Sequence, residues 1–252
     1  MKQLRNKAEA SANFRYQAFL VSILIPVSSL CQAQNSQPQT IAIASQDTKW
    51  LYEKSIGVQS GLVNGGDYKG YESRAGEHPY FLKEDWATGS IFYDGSLFED
   101  VALLYDLEKD KVIFEHPLYD VKIDLIGEKV KYFSLHDHTF VNLETSSQDI
   151  KFHGYYDRLY DGPTKAYVKR SKNFQQPIHS GVMINVFEEK NSYYVVTQGI
   201  AHRVKSMHDL LASFGASEKE VKQFAKKNKL RFKSDPDNTI VKLSTYFDSL
   251  TR

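Results

Sequence analysis

The chain has 252 residues, a formal net charge of +1, one cysteine, 16 tyrosines and 15 phenylalanines. Because a nearly neutral chain lacks the basic surface that nucleic acids attract, the composition predicts no nucleic-acid partner. This length is enough for one domain with a hydrophobic core, and the high tyrosine content favours β-sheet.

The N-terminal residues have the features of a secretory signal peptide. Four basic residues and one acidic residue lie within positions 1–18, and a short apolar run follows at 19–27. Since a membrane-spanning helix needs about 20 apolar residues, this run is too short for an anchor. We predict a signal peptide over residues 1–33, cleaved after Ala33, and export to the periplasm or the outer membrane.

Cleavage at this position changes the composition of the mature chain. The net charge falls from +1 to −2, and Cys31 is removed, which excludes disulfides and cysteine-ligated metals. An alternative is a lipoprotein in which Cys31 is lipidated, although Leu30 fits poorly before a lipidated cysteine. Residues 34–49 are rich in Gln, Ser and Thr, and we predict a disordered leader there. The mature chain is predicted to have no transmembrane span.

Residues 50–204 have the pattern of an antiparallel β domain. Short runs of apolar and aromatic residues alternate with polar turns, which is typical of a meander. The predicted strands are 89–93, 101–105, 111–115, 121–125, 130–133, 139–143, 154–160, 165–169, 182–187, 193–197 and 200–204. A charged turn is predicted at 188–191, and a tight turn with positive φ at Asn64-Gly65-Gly66.

Residues 205–252 change to a helical pattern. We predict helices at 206–214, 218–229 and 236–250, which begin at the capping residues Ser206, Ser217 and Asp235. The predicted fold class is therefore α+β: mainly an antiparallel β-meander, as a curved sheet or a partly closed barrel or sandwich, with a helical C-terminal segment.

The tripeptide His136-Asp137-His138 is the one candidate metal site. On a strand, residues i and i+2 lie on the same face, so His136 and His138 can reach one metal ion, and His116 or His153 can supply a third nitrogen. The alternative is a tight turn between two strands. No catalytic residues and no cofactor are predicted.

Other residue patterns have weaker functional interpretations. Glu77 and Glu115 each precede a histidine, but neighbours on a strand point to opposite faces, so neither pair is expected to cooperate. Trp50, Trp86 and the tyrosines are candidates for a glycan-binding platform, with core packing as the alternative. A basic C-terminal stretch is either a solvated helix face or a surface for an acidic partner or lipid headgroups. It comprises Lys222, Lys226, Lys227, Lys229, Arg231 and Lys233.

Several short aromatic motifs together resemble a family of uncharacterised exported proteins of Gram-negative bacteria. They are GSIFYDG at 89–95, VALLYD at 101–106, VKYF at 130–133, HTFV at 138–141, GYYD at 154–157, KKNKLRF at 226–232 and YFDSL at 246–250. The resemblance implies a location in the cell envelope and no assigned activity.

These observations favour an exported binding or accessory protein without enzymatic activity, with an envelope protein or a small apolar or glycan ligand as its partner. One alternative is a periplasmic carrier whose curved sheet holds an apolar ligand such as a lipid. Another is an envelope hydrolase, which would require a cleft with clustered carboxylates or histidines.

Overall fold

The computed structural model describes residues 57, 59–72, 76–147 and 150–251. The predicted signal peptide at 1–33 and the predicted leader at 34–49 therefore lie outside the described residues, as does Trp50. All the described residues belong to one compact unit, which contains both the sheet and the helices.

Strands are the most abundant regular element of the described chain. They are β1 (Gly66–Asp67), β2 (Ala87–Tyr93), β3 (Ser96–Asp106), β4 (Lys111–Glu115), β5 (Lys122–Asp124), β6 (Val130–Leu135), β7 (His138–Asn142), β8 (Thr145–Ser147), β9 (Ile150–Phe152), β10 (Tyr155–Asp161), β11 (Lys165–Gln175), β12 (Ile178–His179), β13 (Val182–Met183), β14 (Val186–Thr197) and β15 (Ile200–Val204). The helices are α1 (Met207–Ala212), α2 (Glu218–Lys227) and α3 (Pro236–Leu250), and short 3-10 turns lie at Ser60–Asn64, Gly127–Lys129 and Gly215–Ser217.

Eleven of these strands form one antiparallel sheet, in the order β1-β5-β4-β3-β2-β6-β7-β10-β11-β14-β15. Most neighbours are consecutive in the chain, which confirms the predicted meander with a helical C-terminal segment. The main departure from consecutive order is the connection from β5 to β6, which returns the chain to the free side of β2. The pairs β8-β9 and β12-β13 form two separate ribbons.

The sheet is strongly curved but does not close over the described strands. Tyr105 of β3 and Tyr155 of β10 are separated by three strands, yet their rings lie 5.8 Å apart across the concave side. The end of β3 also approaches β11, where the backbone N–H of Lys172 donates to the carbonyl of Leu107 at 3.3 Å.

Aromatic rings fill the concave face of the first half of the sheet. Phe133 and Phe140 are fully buried and stack at 4.9 Å, and Tyr105 and Tyr155 pack edge-on against them at 4.9–5.3 Å. These centroid distances are favourable for aromatic pairs. The rings therefore occupy the space that an apolar ligand inside the curve would need.

The same face of the second half of the sheet is covered by the helices. Phe140, Asp157 and Val168 are direct partners on adjacent strands and so lie on one face. Further along this face, Ala166 and Val195 pack against the apolar side of the helices. That side consists of Leu210, Leu211, Phe214, Val221, Ala225, Ile240, Leu243 and Phe247.

All three helices begin directly after the predicted capping residues, and two of the three predicted capping bonds form. The hydroxyl of Ser206 accepts from the N–H of Asp209 at 3.2 Å, and the carboxylate of Asp235 accepts from the N–H of Asn238 at 3.3 Å. The predicted capping box at Ser217 is wrong, because its side chain makes no capping bond. Ser217 closes a 3-10 turn with φ −87° and ψ 8°, so it lacks the extended backbone that this motif requires.

Two predicted turns are also wrong. Residues 188–191 lie inside the continuous strand β14, which pairs with β11 over eleven positions. Their exposed polar side chains reflect a solvated strand rather than a turn. Gly65 has φ −74°, not a positive value. A glycine is needed there for close approach, since a Cβ would overlap the backbone carbonyl of Asp124.

None of the helices in the described part of the chain is both long and apolar enough to cross a membrane.

Candidate ligand-binding site

His136 and Asp137 form the turn between β6 and β7. Their φ angles are +49° and +64°, and the flanking residues Leu135 and His138 are paired. A two-residue loop with two positive φ values is a common connection in β-hairpins. His138 starts the next strand, and its ring packs edge-on against Phe81 at 5.0 Å.

His138 is the outer member of a buried ionic network. Its Nδ1 atom lies 2.7 Å from the carboxylate of Asp157, which is only 1% exposed. The guanidinium of Arg170 donates to the same carboxylate at 2.6 and 2.7 Å, and to Asp237 of α3 at 2.6 Å. Arg170 also lies over the ring of Phe81, 5.7 Å from its centroid. The network thus joins β7, β10 and β11 to the last helix.

The carboxylates of this network alter the acid–base properties of their neighbours. Burial alone would lower the pKa of Arg170, but Asp157 and Asp237 outweigh it and raise that pKa. Burial, and then the charge of Asp237, raise the pKa of Tyr193 on β14. Arg170 therefore stays charged, and the network holds the sheet against α3.

The other histidines that the metal hypothesis requires lie elsewhere. His153 is paired with Glu144 at 2.9 Å, and the ring of His116 accepts from the N–H of Leu118 within a turn. Over the described residues, no three His, Cys, Asp or Glu side chains come together as a metal site. A metal bound by His136 and His138 stays a prediction. The Nδ1 atom of His138 is already hydrogen-bonded to Asp157, which leaves only its Nε2 atom for a metal.

A cavity of about 720 Å³ opens at one end of the curved sheet. Five segments surround it: the start of β1, the β3–β4 turn, the chain around the end of β5, the end of β7 and the start of β10. They meet there because the sheet curves far enough to bring β3 and β4 beside β10. This volume lies within the usual range for small-molecule sites.

Asp110 in the β3–β4 turn connects the two sides of this cavity. It accepts bonds from the hydroxyl of Tyr105 and from Nζ of Lys169, both at 2.6 Å. Gly154 lies directly against this carboxylate with φ +79°, and a Cβ at that position would overlap Asp110. Glycine is therefore required at 154 for both its backbone conformation and its lack of a side chain.

Asn142 lines the cavity and is held in place by hydrogen bonds to the backbone. Its amide nitrogen donates to the carbonyls of Gly127 and Val130 at 3.0 Å, which fixes the orientation of the side chain. Its Oδ1 atom is buried and has no partner. Most buried polar atoms in proteins are hydrogen-bonded, so this atom is an exception, and its burial keeps it out of reach of a molecule in the cavity.

The remaining lining is charged, aromatic and aliphatic. Four carboxylates face two lysines: Asp110, Asp124, Glu128 and Glu144 against Lys109 and Lys111. Lys111 is paired with Asp124, and the hydrogen bond from His153 lowers the pKa of Glu144. Leu125, Ile126 and the buried Tyr155 add apolar surface.

Of the residues that line this cavity, only His153 has a functional interpretation from the sequence, as a possible third metal ligand. The candidate platform residue Trp86 packs against buried Tyr68, Tyr80, Leu104 and Ile113, so it belongs to a small core on the other face of β3 and β4. The only signal for the cavity in the sequence is the polar turn that contains Asp110, since Gly154 begins a predicted strand. That signal does not reveal that this turn meets the start of β10.

Comparison with protein-family models, with curated proteins and with solved structures finds no match to this chain.

Proposed function

We propose that this chain is an exported, non-enzymatic binding protein of the cell envelope whose cavity at the end of the curved sheet binds a small polar ligand such as a saccharide. The observation that supports this most is the lining of a cavity of about 720 Å³, which combines carboxylates and lysines with the apolar surfaces of Leu125, Ile126 and Tyr155. Saccharide hydroxyls can exchange hydrogen bonds with these charged side chains, whereas an aliphatic ligand cannot.

The lining of the cavity favours a polar ligand over an apolar one. Carboxylates and lysines can accept from and donate to hydroxyl groups, and Leu125 and Ile126 offer a surface for the C–H face of a sugar ring. The carrier alternative requires an open apolar concave face, but that face is filled by Phe133, Phe140 and their aromatic neighbours.

One observation favours the hydrolase alternative: four carboxylates surround the same cavity. Glycoside hydrolysis requires one carboxyl group whose raised pKa lets it act as a general acid. The pKa of Glu144 shifts in the opposite direction, and Asp110 and Asp124 are each paired with a lysine. Binding without cleavage is therefore our first proposal.

The proposal of export rests on the N-terminal sequence. We expect the protein recovered from the envelope fraction of producing cells to begin at Gln34, as measured by intact mass and N-terminal peptide mapping. Recovery of the full-length chain from the cytoplasmic fraction would contradict it.

Binding is tested by native mass spectrometry of the purified protein with a panel of mono- and oligosaccharides. Ile126→Trp places an indole in the cavity wall without removing any internal hydrogen bond. Ile200→Trp is the matched control, because the two isoleucines are 36% and 37% exposed and Ile200 does not line the cavity. We expect Ile126→Trp to weaken binding at least tenfold and Ile200→Trp to leave it unchanged.

The same spectra distinguish the two candidate functions. An intact saccharide bound in a 1:1 complex supports a binding protein, and cleaved fragments that accumulate with time support the hydrolase instead. No complex with any member of the panel, or equal loss in both variants, refutes the saccharide proposal.

A further inference from the structure

A second cavity, of about 760 Å³, lies on the helical side of the molecule. Lys205, which follows β15, lines it together with Arg231 and Lys233 from the connection between α2 and α3. All three residues are exposed, and none of them forms an ion pair within the described part of the chain. Three unpaired cations around one cavity create a local positive potential.

The rest of this cavity is apolar. Tyr193 of β14 and Phe232 form one side, with their rings edge-on at 5.7 Å, and Leu230 and Met207 line it beside them. Tyr193 and Phe232 are half-buried, so part of each ring remains open to a ligand. The cavity therefore combines cations with an aromatic surface.

The neighbouring carboxylates have other partners. Asp237 accepts from Arg170 at 2.6 Å, Asp235 caps α3, and Asp209 accepts the backbone N–H of Lys205 at 3.0 Å. The sheet shows the opposite arrangement, because several of its lysines are paired with carboxylates, as Lys169 is with Asp110. The cations of this cavity are thus free to meet an external anion.

The surrounding sequence adds positive charge. Residues 222–233 contain six basic residues and no acidic residue. Within α2, Lys219, Lys222 and Lys226 follow the i, i+3, i+7 spacing that places side chains on one helix face. The predicted basic stretch therefore leads along the chain directly into the cavity.

We propose that this cavity binds a phosphate group attached to an apolar or aromatic moiety. Arg231 matches two phosphate oxygens with its planar guanidinium, and Lys205 and Lys233 add point charges. Tyr193 and Phe232 contact the attached group. This site is separate from the saccharide cavity, with which it shares no lining residue.

Two probes separate the sources of such a ligand. Phenyl phosphate tests for a soluble phosphate ester by isothermal titration. Sedimentation with vesicles of phosphatidylglycerol and phosphatidylcholine, against vesicles of phosphatidylcholine alone, tests for a lipid headgroup. Both experiments use the mature chain at 0.1 M salt and again at 1 M salt, where screening shortens the Debye length to about 3 Å.

The test variant is the triple substitution Lys205→Gln, Arg231→Gln and Lys233→Gln. A matched control removes the same charge from exposed lysines outside this cavity, as Lys83→Gln, Lys131→Gln and Lys151→Gln. Each cation near an anionic surface contributes roughly a fivefold gain in affinity, so we expect the affinity of the triple variant to fall on the order of a hundredfold. The affinity of the control variant should fall less than about fivefold.

Binding of either probe that is lost in the triple variant and retained in the control supports the proposal. Binding of phenyl phosphate but not of vesicles indicates a soluble ligand. Binding of anionic vesicles but not of phenyl phosphate indicates a lipid headgroup. Absence of binding to both probes, or equal losses in the two variants, overturns the proposal. Neither result depends on the saccharide cavity, so the two proposals fail independently.

Discussion

Replacement of Asp157 by asparagine tests whether the ionic network stabilises the fold. This carboxylate is almost fully buried and is shared by His138 and Arg170. Asparagine keeps the shape of the side chain but can accept only through one oxygen, and its amide would point an N–H group at a positively charged or N–H-bearing neighbour. We therefore expect lower stability without a change of fold.

The expected loss of stability in Asp157→Asn follows from the surroundings of Arg170. Removing one partner of a buried ion pair costs about 3–5 kcal/mol because the other charge stays buried. Arg170 keeps its bond to Asp237, so we expect the lower end, about 3 kcal/mol in the free energy of unfolding. For a domain of this size, that corresponds to a fall in Tm of roughly 6–12 °C.

Urea denaturation, followed by circular dichroism, measures this difference. Asp161→Asn is the matched control on the same strand, because Asp161 is 47% exposed and its pairs with Arg158 and Lys165 lie at the surface. Exposed ion pairs contribute about 0–1 kcal/mol, so the control should change little. Equal effects of the two substitutions, or a loss below about 1 kcal/mol for Asp157→Asn, would refute the reasoning.

Two further predictions concern backbone conformation and acid–base behaviour. Gly154→Ala should destabilise the fold by at least about 1 kcal/mol more than Gly95→Ala in urea denaturation, since both glycines have positive φ but only Gly154 lies against a side chain, that of Asp110. Burial, and then the charge of Lys172, lower the pKa of His78, so its NMR titration should give a value below 6.5, and Lys172→Met should move it back towards 6.5. Because the folded pKa is depressed, this histidine contributes stability above about pH 6.5 that is lost as the pH falls through its folded pKa. A value for His78 at or above 6.5 would contradict this.

The elements that could be predicted from the sequence are those with local causes. The helix at Pro236–Leu250 begins where expected because Asp235 caps it and proline suits its first position. The turn at His136 and Asp137 is one of the two alternatives that the sequence predicts there. Polar residues between apolar runs are typical of hairpins. In each case a few neighbouring residues determine the structure.

The errors and omissions have nonlocal causes. Residues 188–191 have the polar composition that is typical of a turn, but pairing with β11 keeps them extended. Lys169 contacts Asp110 from 59 positions away, and Asn142 reaches the carbonyls of Gly127 and Val130 at the start of the neighbouring strand. Such contacts depend on the curvature of the whole sheet, so no local pattern reveals which turns surround the cavity.

The aromatic content of the chain has a structural explanation that also limits where ligands can bind. A sheet that curves this strongly encloses a space on its concave side, and small side chains would leave that space empty at a high cost in stability. Tyr105, Phe133, Phe140 and Tyr155 fill it with large rings in favourable edge-on and stacked contacts. Because the middle of the curve is filled, we place the proposed ligand sites at its open end and at the edge of the helical layer. Both of the proposed sites lie in those two places, where turns and connections, rather than strand interiors, supply the polar side chains.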